Sequence, residues 1–338
     1  MTPSPSLAAV VVAYNGGEGL VGCVRSLLTQ SVAGLEVIVV DNASTDGSIE
    51  RLRTEFGERL NIVRRGVNGG YGAGANSGWR ATDAELIAIL NQDLVLLPDC
   101  LERMRDVLLA AGPMAIVTPK LLLKSDPSRV NAIGNEVHLS GVAWCNALHT
   151  PADSWHGVRE VTAISGAAFM ARRSFLTELD GVEEGYFMYM EDVDLSLRAR
   201  AAGGVCVAAC DAVAIHDWSL TLSADRFGML ERNRRALWWR FWRGNARMLP
   251  ALVQAELMGW LYALSHGRAY LRAKLRAGQS KRRLVRVEPG ESLMRVLARR
   301  HPYKMLFPGS ALIPAAGRMV DFLFAAPMGQ TRDRRLAR

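Results

Sequence analysis

Several things are missing from this 338-residue chain, and each absence removes a class of explanation. Cysteine is scarce: Cys23, Cys100, Cys145, Cys206 and Cys210 are odd in number, and their spacing matches neither a disulfide framework nor a zinc pattern. They read as small core residues in a reducing compartment, with a metal site at Cys206/Cys210 the lesser alternative. No window of about twenty apolar residues runs without a charge. Leu249–Ser265 is broken by Glu256, and Ser310–Met328 by Arg318 and Asp321, so no spanning helix is expected. Met1–Ser6 is polar and the apolar run behind it is only of strand length, so no signal peptide is expected either. Acids are scarce in the C-terminal third. Arg226–Arg338 carries 24 Lys/Arg against 6 Asp/Glu, a net of +18, whereas residues 1–225 carry 17 against 27, a net of −10. That asymmetry aims the C-terminal third at something anionic, a phospholipid surface or a nucleic acid.

What is present is a regular alternation. Leu7–Ala13 is a continuous apolar run with three valines, the mark of a strand buried on both faces. Glu36–Val40, Leu60–Arg64 and Glu85–Leu90 repeat it. Helical spacing separates them: Leu20, Val24, Leu27 and Leu28 within Gly19–Gln30, then Ile49, Leu52 and Phe56 within Ser48–Phe56. Pro98 suits the first turn of a further helix. Gly66–Gly78 is glycine-rich and becomes helix-like toward Ala81. The pattern predicts an α/β fold with a parallel, doubly wound sheet, in which ligands bind beyond the carboxyl ends of the strands. Three of those ends carry polar clusters: Tyr14-Asn15, Asp41-Asn42 and Asn91-Gln92-Asp93. Residues 113–185 are less regular, with Ser165-Gly166 standing out in a run of small and apolar residues. Glu191–Ala202 is a clear helix opened by three acids, Glu191, Asp192 and Asp194. Val205–Ala209 and Ala212–Ile215 read as two short strands, the second running into His216.

In this order and at this spacing, Val-Val-Ala-Tyr-Asn (11–15), Val-Val-Asp-Asn-Ala-Ser-Thr-Asp-Gly-Ser (39–48), Asn-Gly-Gly-Tyr-Gly-Ala-Gly-Ala-Asn-Ser-Gly (68–78), Leu-Asn-Gln-Asp (90–93), Ser-Gly-Ala-Ala-Phe-Met (165–170) and Tyr-Phe-Met-Tyr-Met-Glu-Asp-Val-Asp-Leu (186–195) resemble glycosyltransferase family 2, and most of all its rhamnosyltransferase-like branch. The resemblance covers roughly residues 7 to 220. It implies a GT-A fold with a mainly parallel central sheet over residues 1–225, a donor half to about 112 and an acceptor half beyond it. A basic, mainly helical extension follows over 226–338.

The resemblance also implies roles. Ala13, Tyr14, Asn15, Asp41, Asn42, Gly70, Gly72, Asn76, Asn91, Gln92 and Asp93 would line a nucleotide-sugar donor, a dTDP- or UDP-sugar. A carboxylate at Asp41 can accept the imide N–H of uracil or thymine; whether Asp41 or Asn42 meets the base is open at this stage. Glycines such as Gly70 and Gly72 permit close backbone approach to a bound ligand. Asn91-Gln92-Asp93 stands where the family has its DxD-like motif. Asp93 is the matching ligand for Mg²⁺ or Mn²⁺, and the Asn at 91 leaves the protein few anionic ligands. His216, with Asp217 as alternative, would complete the metal shell. Asp192 would be the general base, with Glu191 and Asp194 orienting it or binding acceptor. Three acids in one helical turn repel one another, which raises a carboxyl pKa as a base requires. The reaction would be a single inverting displacement.

Within Arg226–Leu249, Phe227, Trp238, Phe241 and Trp242 alternate with arginines, which reads as a membrane-interface helix. The alternative is a helix whose aromatics are packed and whose arginines are solvated. With the resemblance, this points to a cell-surface glycan or polyprenyl-linked acceptor at the cytoplasmic face of the membrane, and to no nucleic-acid partner. Two other readings carry less: a sugar-phosphate nucleotidyltransferase, which wants a basic loop where Tyr14–Gly19 has no Lys or Arg, and a nucleotide-binding scaffold without turnover.

Overall fold

The apolar runs become strands close to where their composition places them. The computed structural model describes residues 5–218, 222–279 and 284–298; the apolar run Ser310–Met328 lies outside the described residues. Ten strands form one sheet: β1 (Leu7–Ala13), β2 (Glu36–Asp41), β3 (Asn61–Arg64), β4 (Leu86–Asn91), β5 (Leu94–Leu96), β6 (Ala115–Leu123), β7 (Asp126–Ala132), β8 (Val158–Glu160), β9 (Ala168–Arg172) and β10 (Val205–His216). Their order is β8-β10-β6-β9-β4-β1-β2-β3, with β5 beside β10 and β7 beside β6.

The segment β3-β2-β1-β4 is parallel throughout. Beyond it the sheet is mixed: β9 runs antiparallel to both β4 and β6, while β10 is parallel to β6. The order reverses at β1, which lies between β2 and β4, and such a switch point opens a crevice beyond the carboxyl ends of the strands. All seven residues of β1 are buried. Leu7, Ala9, Val11 and Ala13 face one core, and Ala8, Val10 and Val12 the other, as the two-residue repeat of a strand requires. Each valine so placed contributes about 1.5–3 kcal/mol relative to exposure.

Helices α1 (Gly17–Leu27), α2 (Ser48–Phe56), α3 (Tyr71–Trp79), α4 (Cys100–Ala111), α5 (Arg173–Glu178) and α6 (Glu191–Ala201) complete this part of the chain. The glycine-rich element is helical from Tyr71, which composition alone argues against, since each glycine costs a helix about 1 kcal/mol. Its glycines answer to packing. A Cβ at Gly78 would lie 2.2 Å from Val10 Cγ1, and one at Gly74 would lie 2.6 Å from Val12 Cγ1, so only glycine lets α3 sit this close to β1.

Strand β10 is continuous where two short strands are expected from the sequence. Its register against β6 shifts between Ala209 and Val213, so Cys210, Asp211 and Ala212 form a bulge. Past the bulge, His216 pairs with Leu94 of β5, which brings it beside Asp93.

The described residues fall into two units: 5–136, 143–218, 222 and 289–296 in one, and 137–142, 223–279, 284–288 and 297–298 in the other. The second holds helices α7 (Ala224–Trp242), α8 (Leu249–His266) and α9 (Arg268–Gly278). Ser223 caps α7 by accepting the N–H of Arg226. Helix α9 packs on both α7 and α8. Among these helices lies a buried ionic quartet. Arg234 holds Glu231 through two bonds of 2.9 and 3.0 Å and reaches Glu256 at 2.7 Å. Lys274 joins Glu231, and meets Glu256 at 3.0 Å. The α7 aromatics expected at a membrane surface, Phe227, Trp238, Phe241 and Trp242, are all buried, which corrects that expectation; Trp239, between them, is exposed.

Candidate active site

The polar clusters at the ends of β1, β2 and β4 are tied to one another before any ligand is considered. Tyr14 donates its N–H to Gln92 Oε1 at 2.8 Å and accepts Gln92 Nε2 on its carbonyl at 3.0 Å. Asn15, held at φ 48°, receives the Thr45 N–H on Oδ1 and donates its own N–H to Ser44 Oγ. Ala13 is fully buried and accepts the N–H of Asn42. Asn91 closes β4, its N–H on the carbonyl of Ala167. Asp46 accepts the N–H and the hydroxyl of Ser48, the first residue of α2, and Asp41 Oδ1 accepts the Ser44 N–H at 2.8 Å. Its other oxygen makes none of the hydrogen bonds found among the described residues. Asn42, by contrast, is buried with both ends of its amide on the backbone of Gly69 and Gly70. That leaves Asp41 as the group able to accept from a ligand, while Tyr14 presents a ring 45% exposed.

At the next strand end, Asp93 Oδ1 lies 3.4 Å from His216 Nε2. That oxygen is buried without a hydrogen-bond partner. His216 Nδ1 lies 2.9 Å from Asn131 Oδ1, a contact that orients the ring with Nε2 toward Asp93. A carboxylate oxygen with a neutral imidazole fits Mn²⁺ or Mg²⁺ when phosphate oxygens fill the remaining positions. Among the described residues no cluster of three or more His, Cys, Asp or Glu forms a metal site on its own. Asp217, the alternative ligand, is engaged elsewhere, 2.6 Å from Lys124 Nζ.

The base side is built on α6. Asp192 Oδ2 accepts the Gly166 N–H at 2.8 Å and Asn135 Nδ2 at 3.0 Å, and its Oδ1 accepts the Val193 N–H at 2.8 Å. Burial raises the Asp192 carboxyl above the ordinary range, and these hydrogen bonds oppose the rise without cancelling it. Burial also pushes Glu191 up, to about 8, with the Asp192 charge adding to it. Repulsion among the acids is therefore the lesser cause. Glu191 Oε2 is buried with no partner. Asp194 behaves differently: it is fully buried, 2.7 Å from Arg198 Nε and 3.2 Å from the Tyr186 hydroxyl. Arg198 in turn binds the carbonyls of Leu179 and Gly181, so Asp194 locks α6 to that turn and is a packing residue. The backbone before α6 takes positive φ at Phe187, Tyr189 and Met190, strain of the kind that collects at sites.

Three expected donor contacts are corrected. Asn76 is buried, bonding Val182 and Glu184 through Nδ2 and receiving the N–H groups of Trp79 and Val182 on Oδ1. Gly70 and Gly72 do allow close approach, but to protein. A Cβ at Gly70 would meet the Phe187 carbonyl at 2.0 Å, and one at Gly72 the Glu183 carbonyl at 2.9 Å. Residues that sequence reasoning passed over take part instead. Asn131 orients His216, Asn135 holds Asp192, and Tyr71 donates its hydroxyl to the Gly166 carbonyl at 2.6 Å. Burial raises the Tyr71 hydroxyl well above its ordinary pKa, and the charges of Glu191, Asp192 and Asp93 add to the rise. Gly166 thus joins Tyr71, through its carbonyl, to Asp192, through its N–H.

The profile of "Glycosyl transferase family 2" matches residues 8–176. The chain is 26% identical over 316 residues to the N-acetylglucosaminyl-diphospho-decaprenol L-rhamnosyltransferase of Mycobacterium tuberculosis, covering 84% of this chain and 98% of that protein. It is 33% identical over 113 residues to the succinoglycan biosynthesis protein ExoO of Rhizobium meliloti, a third of each chain. Among solved structures it resembles GalNAc-T7 with UDP, GalNAc and Mn²⁺ at TM-score 0.62 and 13% identity, covering 87% of this chain and 57% of that one. It also resembles S. aureus TarS 1–349 at TM-score 0.53 and 14% identity, covering 97% and 93%. The chain belongs to glycosyl transferase family 2 and is a glycosyltransferase of GT-A fold.

Proposed function

We propose that this glycosyltransferase moves a sugar, rhamnose from dTDP-rhamnose being the best supported, onto a hydroxyl of a polyprenyl-linked or cell-surface glycan acceptor, with inversion. The acceptor and sugar follow the similarity to the M. tuberculosis enzyme along almost its whole length. Residues 1–225 carry catalysis and 226–338 the acceptor or membrane surface, at the cytoplasmic face of the membrane. Asp41 accepts from the base of a dTDP- or UDP-sugar, and the Tyr14 ring lies beside it. Asp93 and His216 hold a divalent cation together with the donor diphosphate; the cation, when bound, neutralises charge on the departing diphosphate. Asp192 takes the proton of the acceptor hydroxyl, whose oxygen attacks the anomeric carbon as the nucleotide leaves from the opposite face. A carboxyl that burial lifts above its ordinary range suits that role.

The observation that carries the reading is the Gly166–Ala167 turn, which bonds Asp192 and Tyr71 on one side and, through the Asn91 N–H, the strand end that bears Asp93 on the other. The test is a nucleotide-sugar panel assayed for binding and turnover with and without Mn²⁺ or Mg²⁺. Metal-dependent binding of one dTDP- or UDP-sugar, lost in Asp93→Ala, supports it; failure of every donor to bind with either cation sinks it.

A further inference from the structure

Helix α8 is inside out. Its buried positions are Ala251, Ala255, Gly259 and Ala263, four small residues at a spacing of four, together with Gln254. Its large apolar residues lie on the other side: Leu249, Val253, Leu257, Trp260, Leu261 and Leu264 are 37–62% exposed and follow the same helical spacing. A helix meant to be covered by water places these the other way round, because each such side chain gains about 1.5–3 kcal/mol from full burial. Glu256, the charge that interrupts the apolar run, does not spoil the stripe. It is drawn into the buried quartet with Arg234 and Lys274. Gly259 has to be glycine because a Cβ there would lie 2.7 Å from Lys274 Nζ.

The charge around the stripe has one sign. From Ala224 to Gly278 there are eleven Lys/Arg and three Asp/Glu, and two of those acids, Glu231 and Glu256, are neutralised in the quartet. Arg243 and Arg247 precede α8 and are exposed; Arg268 follows it. On α9, Arg268, Arg272 and Arg276 share an exposed face with Leu275. No described helix is long and apolar enough to cross a bilayer. A second copy of this chain would bring the same positive surface to the contact, whereas an anionic phospholipid surface complements it.

We propose that α8 lies in the plane of an anionic bilayer with the Leu249–Leu264 stripe among the acyl chains and the neighbouring arginines on lipid phosphates. The inference deepens the reading of a lipid-linked acceptor by naming the helix that meets the membrane, and its test does not depend on turnover. The full chain is sedimented with vesicles of phosphatidylglycerol and phosphatidylethanolamine, and with phosphatidylcholine alone. Binding to the anionic vesicles is expected, reduced about tenfold or more by Leu257→Glu/Leu261→Glu. Arg268→Glu/Arg272→Glu weakens it in low salt and less so in high salt. Vesicles carrying brominated acyl chains should quench wild-type tryptophan fluorescence, and Trp260→Phe should lose most of that quenching. Equal sedimentation of wild type and Leu257→Glu/Leu261→Glu overturns the proposal. So does a dimer that this variant dissolves, or a lower melting temperature in the variant, which would mean the stripe is covered by protein. If the stripe binds lipid and no donor is turned over, only the proposed function falls.

Discussion

The two units each bury a group of acids, and they treat them in opposite ways. In the first unit Glu191 is buried beside the half-buried Asp192, Glu191 Oε2 has no hydrogen-bond partner among the described residues, and both carboxyls are pushed up. In the second, Glu231 and Glu256 are buried against Arg234 and Lys274, which hold Glu231 down to about 2 and Glu256 below its usual range. The same residue types give a reactive group in one place and a clamp in the other. What differs is whether burial is answered by opposite charge. A carboxylate held low by two cations is useless as a base, and an uncompensated one is a poor anchor.

The comparison can be broken from either side. The largest effect expected is in Asp192→Asn, which should lower transfer by about 10²–10⁴ while donor binding and folding persist; single-turnover rates beside a donor titration check it. Glu231→Ala should leave the two buried cations Arg234 and Lys274 to share Glu256 alone and cost about 3–5 kcal/mol, read by denaturant unfolding, with little change in the intrinsic chemistry. Asn131→Ala removes the hydrogen bond that fixes the His216 ring, and should weaken Mn²⁺ binding in the presence of nucleotide by about 10–100-fold. Calorimetric titration of Mn²⁺ separates this from loss of fold.

The smallest and most diagnostic prediction concerns pH. Glu191 has a folded pKa above its unfolded one, so its contribution to stability is complete below about 4.5 and is lost as pH rises through about 8. Glu231 has the reverse shift: its contribution is complete above about 4.5 and is lost as pH falls toward about 2. Glu191→Gln should therefore raise the melting temperature more at pH 8.5 than at pH 5, as melts at the two pH values would show. Glu231→Gln should cost most at neutral pH and progressively less toward pH 2. Matching pH profiles for the two variants would remove the contrast.

Legibility followed periodicity. Strands β1, β2 and β4 and the polar residues at their ends stood out because a run buried on both faces is continuous in sequence and its end is abrupt. Helix α3 was hidden because glycine argues against a helix, and only the closeness of Val10 and Val12 explains why glycine is there. Asn131 and Asn135 lie in a stretch without a repeating pattern, and an isolated asparagine carries no signal until its partner is known. For α7 and α8 the pattern misled. Tryptophan beside arginine looks like a membrane face in α7, yet most of those rings are buried, and the outward apolar stripe belongs to the helix whose buried residues are alanine and glycine.

The bulge at Cys210–Ala212 gives β10 two registers that need not move together. Residues 205–209 pair with β6 and, in part, with β8, while 213–216 pair with β6 and, in part, with β5 and bring His216 to Asp93. Such a strand works like a vernier. A residue gained or lost within the bulge can be taken up there, leaving the inner pairing fixed while His216 slides a fraction of a step against its partner. A change passed on down the strand would instead present Ile215 or Asp217 at the meeting point, since neighbouring side chains point to opposite faces. If Asp93 and His216 hold a cation as proposed, the geometry offered to it would be open to adjustment by insertion or deletion at a distance from the site, without any mutation of a residue that touches it.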